Sequence, residues 1–455
     1  MQFSSLTAIS PIDGRYHDII NILRPIFSEY GLMRYRIIIE IRWLQTLSNC
    51  IEVKEIKEFT HEINNYLEDI ILRFNIKHAN QIKKIEQKIN HDVKAIEYFL
   101  KKQIMHIPEL KKIKEFVHFA CTSEDINNLA YALMLKTTRD TIIIPQWKNI
   151  INILKQLAFK YKKLPLLART HGQPATPTTV GKEFANIVYR MGRQLEQLNN
   201  IDILGKFNGT VGNYNAHLSA YPNILWEKMS KNFVTSLGIT WNPLTTQIEP
   251  HDYIAELLNC IARFNTILIN FNRDLWGYIA LNYFKINSIN NEIGSSIMPY
   301  KVNPINFENS EGNLGLANAI LNYCANTLPI SRWQRDLTNS TLLRNLGTGI
   351  SYALIGYQTF LIGFKKIEIN EQSLLNALNS HWEIITEAIQ TVMRKYNIYK
   401  PYEKLKNFTN NRNISKQDII DFINQLKLPE YEKNMLKNIT PENYIGCADK
   451  IIDIL

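Results

Sequence analysis

The chain has 455 residues, 45% of them hydrophobic, enough apolar material for a large core divided among two or three domains. Its formal net charge is +10, yet the lysines are scattered along many segments and no zinc-finger, KH or RNP pattern accompanies them. The charge is therefore read as the Ile-, Asn- and Lys-rich bias of an AT-rich genome, and no nucleic-acid partner is expected. No apolar run approaches the ~20 residues of a membrane span.

In chain order, a polar opening, Ser10-Pro11-Ile12-Asp13-Gly14-Arg15-Tyr16, leads into shorter helices. Pro108 ends a smaller N-terminal domain, 1–111. A central domain, 112–364, follows, with long helices predicted over about 116–139, 178–203, 253–284, 307–327 and 341–367. In 253–284 there is no proline, and Ile254, Leu257, Leu258, Ile261, Phe264, Leu268, Phe271 and Leu275 recur at helical spacing. Helices this far above the average of about 11–12 residues belong in bundles, and their wide apolar faces point to oligomer contacts. Residues 365–455 read as short helices broken by Asn-rich loops such as 406–412. Strand-like alternation is scarce, so the fold is mainly α.

The termini and sulfur chemistry add little. Met1-Gln2-Phe3-Ser4-Ser5 lacks the basic and apolar parts of an export signal. Five scattered cysteines (Cys50, Cys121, Cys260, Cys324, Cys447) make no Cys-x-x-Cys pair, which fits buried thiols in a reducing cytoplasm. The ten histidines show no His-x-x-x-His or His-Glu-x-x-His spacing, so no catalytic metal is expected.

Three polar interruptions stand out between the long helices. Gly294-Ser295-Ser296-Ile297-Met298-Pro299-Tyr300-Lys301-Val302-Asn303-Pro304 joins a flexible start to two prolines that forbid helix. Arg169-Thr170-His171-Gly172-Gln173-Pro174-Ala175-Thr176-Pro177-Thr178 holds a histidine, able to move protons near neutrality, on a rigid non-helical segment. Thr178 is positioned to cap the helix that follows. By residue type alone a loop histidine is more often structural than catalytic. The third, 119–128, contains Thr122-Ser123-Glu124-Asp125, which serves equally as a helix cap or as a set of substrate contacts.

These blocks together resemble the fumarase/aspartase superfamily, and within it the adenylosuccinate lyase branch of the longer bacterial type. Gly-Ser-Ser-x-Met-Pro-x-Lys-x-Asn-Pro is similar to the superfamily's signature loop, and the Thr-His-Gly-Gln-Pro block to that branch. The resemblance implies a three-domain lyase whose central helices assemble into a multi-helix tetramer core, each site drawing one block from each of three subunits. It implies elimination of fumarate from adenylosuccinate, giving AMP, and from succinylaminoimidazole carboxamide ribotide, in purine nucleotide biosynthesis in the cytoplasm.

Site residues carry over position by position. Ser295 is the implied base and His171 the acid that protonates the leaving nitrogen. Lys301 stabilises charge, and Glu308 orients His171. Arg15 and Tyr16 resemble the branch's contacts at the nucleotide-phosphate end, and Asn90, His91 and Asp92 its substrate-binding Asn-His-Asp block. Thr122, Ser123, Thr170, Gln247, Asn303, Asn309 and Thr341 would hold the rest of the substrate, with Arg335, Ser340 and Arg344 on its phosphate. Arginine's planar fork suits that last task. Without the family, these arginines read as surface ion pairs and Glu308 as a first-turn glutamate. No cofactor is implied, because the substrate carboxylate accepts the charge.

Departures from the family pattern are few: Tyr300, Ile297 and the Thr409-Asn410-Asn411 turn. Two rival readings remain. A superfamily lyase with another amine leaving group would not need the phosphate set. A non-catalytic helical nucleic-acid binder would not need His171, Ser295 and Lys301 intact.

Overall fold

The computed structural model describes residues 4–287, 297–298, 300–410 and 412–455. Helices dominate it. The expected long helices appear as Ser123–Thr138, Val180–Asn200, Asp252–Ala280, Ile305–Thr327 and Leu346–Phe364.

Where these differ from the sequence reading, the backbone supplies the reason. Phe116 and Phe119 continue the apolar spacing of the first long helix, but His118 and Ala120 take φ of 64° and 58°. A left-handed residue cannot sit inside a right-handed helix, so the helix starts at Ser123. At its other end a π-turn, Arg139–Ile143, leads into Ile144–Lys160, whose second residue is Pro145. A proline there removes one helical N–H, and the wider turn absorbs the change in register. Asp252–Ala280 likewise stops short, because Asn282 at φ 59° reverses the chain. Phe284 then enters a strand, Phe284–Ile286, pairing antiparallel with Ile367–Ile369.

The chain divides into two compact units. The first comprises 1–146, 194–266 and 312–358; the second comprises 147–193, 267–311 and 359–455. In the first unit, helix Glu29–Ser48 is capped by Ser28, whose Oγ accepts from Gly31 N at 3.1 Å. Ile37, Ile39, Trp43 and Leu47 on it are fully buried. Trp43 lies 4.3 Å from Phe207 and 5.2 Å from Phe233 between ring centres, and its Nε1 donates to Phe119 O. Truncating such a side chain costs about 3–5 kcal/mol.

Among its described residues, the second unit has two apolar centres. Phe184 meets Phe271 and Phe364 edge-on and Phe284 at a tilt, Phe271 is tilted against Phe360, and Phe360 stacks on Phe364. Leu378, Ile385, Ile389, Met393, Ile423 and Leu436 form the other, together with Leu167. By length and composition Asp252–Ala280 could cross a membrane. Its stripe of Leu257, Leu258, Phe264, Leu268 and Leu275 is instead buried within the protein.

Candidate active site

In the first unit, residues far apart in the sequence meet through two guanidiniums. Arg335 Nη1 donates to Gln247 Oε1 at 2.8 Å, and its Nη2 lies 3.0 Å from Glu124 Oε1. Gln247 is fixed in turn by Nε2 donating to Thr210 O at 2.9 Å. The two strands of chain that make this contact can approach because Gly212 lacks a side chain. A Cβ there would stand 2.3 Å from the Thr245 carbonyl oxygen, and its φ of +86° already favours glycine.

Glu124 is almost fully buried at the start of the Ser123–Thr138 helix. The same turn answers the capping question. Thr122 is the N-cap, and the acid that reaches back to Thr122 N is Asp125, at 2.9 Å. Asp125 also pairs with Lys206 Nζ at 2.8 Å, both side chains fully buried, and accepts from Asn208 N and Gly209 N. Asp125 thus builds the turn, which leaves Glu124 to hold Arg335, while Thr122 and Ser123 stay half-buried at the helix mouth.

The second guanidinium is Arg344. Its Nη1 donates to Glu29 Oε2 at 2.8 Å and its Nη2 to Asp92 Oδ2 at 3.0 Å. Burial pushes the Asp92 carboxyl up, but the Arg36 and Arg344 guanidiniums and the Val93 N–H outweigh it, so the group sits below its usual value. Asp92 belongs to a helix corner written by three residues. Asn90, at φ 52°, ends helix Ile76–Ile89; His91 Nδ1 accepts from Lys94 N at 3.1 Å as the N-cap of the next helix; Asp92 opens that helix. Asparagine tolerates the left-handed position better than most residues, which explains the order Asn-His-Asp.

A cleft of about 240 Å³ in this unit is lined by Ser10, Ile12, Asp13, Arg24, Ser28 and Arg344, among others. Tyr16 packs beside Ile12, Ile20 and Ile355, and Arg15 is exposed next to it. Ser340 and Thr341 lie on the short helix Thr338–Leu343, which begins where Asp336 Oδ1 accepts from Thr338 N at 2.7 Å.

In the second unit the Thr-His-Gly segment is a β-hairpin, a correction to its reading as a loop. Pro165–Thr170 pairs antiparallel with Gln173–Thr179, and Thr170 faces Gln173 across a two-residue turn, His171-Gly172. Both turn residues have positive φ, 54° and 75°, as tight hairpin turns demand. Leu166 and Leu167 anchor the first strand in the core, whereas Thr170 and His171 are exposed at the tip. The residue that caps the following helix is Thr179, not Thr178. Thr179 Oγ1 accepts from Lys182 N at 3.1 Å, while Thr178 Oγ1 donates to Glu183.

Further along, helix Ile305–Thr327 begins directly after Pro304. Lys301 is exposed and Asn303 half-buried just before it; Asn309 is half-buried on its first turns. Glu308 Oε1 accepts from Trp276 Nε1 at 3.1 Å, and no hydrogen bond joins it to His171 among the described residues of the single chain. Ser295, Gly294 and Pro299 lie outside the described residues, as does Asn411.

Sequence reasoning missed Glu29 and Glu124 as partners of the arginines. Glu124 stood inside a block that read equally as a helix cap or as substrate contacts, neither of which pairs it with an arginine, and Glu29 resembles any first-turn acid. All five cysteines are free.

The mainly helical fold and these constellations define a lyase: residues 14–320 match the family described as Lyase, and residues 331–445 match the adenylosuccinate lyase C-terminal family. Two solved structures share the fold over 95% of this chain. They are 3-carboxy-cis,cis-muconate lactonizing enzyme from Pseudomonas putida (TM-score 0.75, 18% identity, 96% of that chain) and a fumarate lyase from Mesorhizobium sp. BNC1 (TM-score 0.76, 15% identity, 97% of that chain). The chain is 60% identical to adenylosuccinate lyase of Escherichia coli K12 over 455 residues, covering all of both chains. It is 58% identical to those of Haemophilus influenzae, over 100% of both, and Buchnera aphidicola from Acyrthosiphon pisum, over 100% of this chain and 99% of that one. The chain belongs to the adenylosuccinate lyases of the fumarase/aspartase superfamily.

Proposed function

We infer that the protein cleaves adenylosuccinate to AMP and fumarate, and succinylaminoimidazole carboxamide ribotide to its amide and fumarate, in purine nucleotide biosynthesis. The observation that carries this reading is the paired arginine site of the first unit. Arg335 and Arg344 are each aimed by a carboxylate, and those contacts use only part of the five donors a guanidinium offers, which leaves capacity for a phosphate among the described residues. An amine-releasing lyase without a phosphorylated substrate has no use for both.

Ser295 takes the proton from the carbon beside a succinyl carboxylate, and the electron pair moves into that carboxylate as an aci-carboxylate. The C–N bond then breaks, and His171 delivers a proton to the departing nitrogen. A serine is a weak base unless its alkoxide is stabilised, a task assigned to loop amides and the Lys301 ammonium, which favour the growing carboxylate charge as well. Asn303 and Asn309 hold the succinyl carboxylates; Thr122, Ser123, Thr170 and Gln247 contact the remainder. Arg15, Tyr16, Asn90, His91, Asp92, Ser340 and Thr341 surround the nucleotide end.

His171 stands exposed on its hairpin turn and Glu308 is engaged by Trp276, which supports a site completed between subunits. In a homotetramer Glu308 orients the partner subunit's His171. The enzyme works in the cytoplasm without a nucleic-acid or membrane partner, in keeping with its scattered lysines.

Following the ultraviolet change on adenylosuccinate cleavage tests all of this. Wild-type protein should turn over, and His171→Ala and Ser295→Ala should each lose about 10²–10⁴ in kcat, the range of a lost acid or base. An equimolar mixture of the two, dissociated and reassembled, should regain part of the activity. Folded wild-type protein that leaves adenylosuccinate intact would sink the assignment; dead mixtures would sink the shared site.

A further inference from the structure

Arg344 and Arg335 look like separate anchors, each with its own carboxylate. A third guanidinium, that of Arg36, which is 2% exposed, is linked to both through the acceptors they share. Its Nη2 donates to Asp92 Oδ2 at 2.8 Å, the same oxygen that accepts from Arg344. Its Nε donates to Asn127 Oδ1 at 2.9 Å. Asn127 passes the connection on, since its Nδ2 donates to Glu124 Oε1 at 3.0 Å, the same oxygen that pairs with Arg335.

We propose that Arg36 is a positioning residue that, through Asn127, ties the two phosphate-side arginines into one preorganised unit. The inference rests on the reading of Arg335 and Arg344 as phosphate ligands. Chemistry favours it over a plain structural ion pair on three counts. A buried arginine has to satisfy its donors, and Arg36 directs them along one edge to two different chain segments. Each acceptor it meets is shared with, or bonded to, an acid that grips a phosphate-side arginine. And every bond in the path has an ionised partner or an amide that relays to one, the kind of bond that is short, directional and strong in a buried setting. Fixing both guanidiniums before the nucleotide arrives lowers the entropy lost on binding.

AMP and fumarate separate this role from general stability, because only AMP carries the phosphate. Titration calorimetry of the full-length assembled protein with each ligand should show AMP affinity falling roughly tenfold to hundredfold in Arg36→Met, the range for a lost charge-assisted partner. Fumarate affinity should stay within about twofold, and the KM for adenylosuccinate should rise with kcat nearly unchanged. Arg36→Lys, which retains the charge on Asp92 but cannot reach Asn127 as well, should recover part of the loss. Asn127→Leu removes no charge and breaks the relay alone; it should weaken AMP about threefold, and it carries the test if Arg36→Met fails to fold. Wild-type protein that cannot cleave adenylosuccinate defeats the proposed function. Wild-type protein that cleaves it, while folded Asn127→Leu and Arg36→Met keep AMP affinity or lose AMP and fumarate binding in parallel, defeats this inference alone.

Discussion

The arginine site of the first unit and the histidine hairpin of the second are built on opposite plans. At the arginine site, Glu124 is buried, Asp92 is held ionised by two guanidiniums, and Gln247 is locked by a backbone carbonyl. At the hairpin, the strand is anchored by buried Leu166 and Leu167, but His171 projects from a two-residue turn into solvent. The first region fixes its guanidiniums by contacts within one chain. The second offers a proton-transfer group whose partner, on our reading, comes from another subunit. Recognition of a charged ligand gains from fixed, desolvated dipoles, whereas a group shared between subunits has to remain available until they meet.

If that contrast holds, the two regions should fail differently. Arg344→Ala leaves Glu29 and Asp92 facing each other without their common cation, and should raise the KM for adenylosuccinate about 30- to 100-fold with kcat changed only a few-fold. Steady-state kinetics decides; a loss confined to kcat would place Arg344 in the chemistry and break the comparison.

A smaller effect is expected from acid. His217, fully buried beside Trp43, Phe207 and Trp226, has its pKa pushed down to about 4 by burial. The unfolded chain therefore binds the proton that the folded chain refuses, between the ordinary histidine value of about 6.5 and about 4. Stability should fall as pH drops through that window, by about 3 kcal/mol at most from this residue. Denaturant melts of wild type and His217→Phe at several pH values should show a shallower acid slope in the variant; parallel slopes would remove His217 from the account.

The mildest perturbation is Gly172→Ala. Beyond its two chain neighbours no atom of the described residues lies within 4 Å of the added methyl, so the expected penalty is the left-handed backbone at φ +75°, about 1 kcal/mol. Thermal melts should register that small loss, and kcat should fall several-fold while AMP affinity holds, because the turn aims His171 and nothing at the arginine site. Weakened AMP binding would show that the two regions are not independent.

What was legible in the sequence, and what was not, follows from the range of the interactions concerned. Helix spacing fixed the existence of the long helices, because burial of one stripe repeats every three to four residues and is written locally. Their ends escaped it. Phe284 fits the spacing of the helix before it, and only the reversal at Asn282 and pairing with Ile369 make it a strand residue. The hairpin escaped for a related reason. Pro174 and Pro177 cannot donate ladder hydrogen bonds, which argues against a strand, yet a two-stranded edge leaves their missing N–H groups without consequence.

Taken alone, then, the sequence determined the helical class, the family and the identity of the polar blocks, since each is carried by short-range spacing and residue type. The tertiary structure alone decided that Asp125 caps while Glu124 grips Arg335, that Thr179 caps instead of Thr178, and that Arg36 is linked to both arginines. Those assignments depend on which side chain reaches which partner across as many as 315 residues of chain, as from Arg344 to Glu29. Adjacent acids such as Glu124 and Asp125 have the same chemistry; only the direction in which the folded helix points them gives each its task.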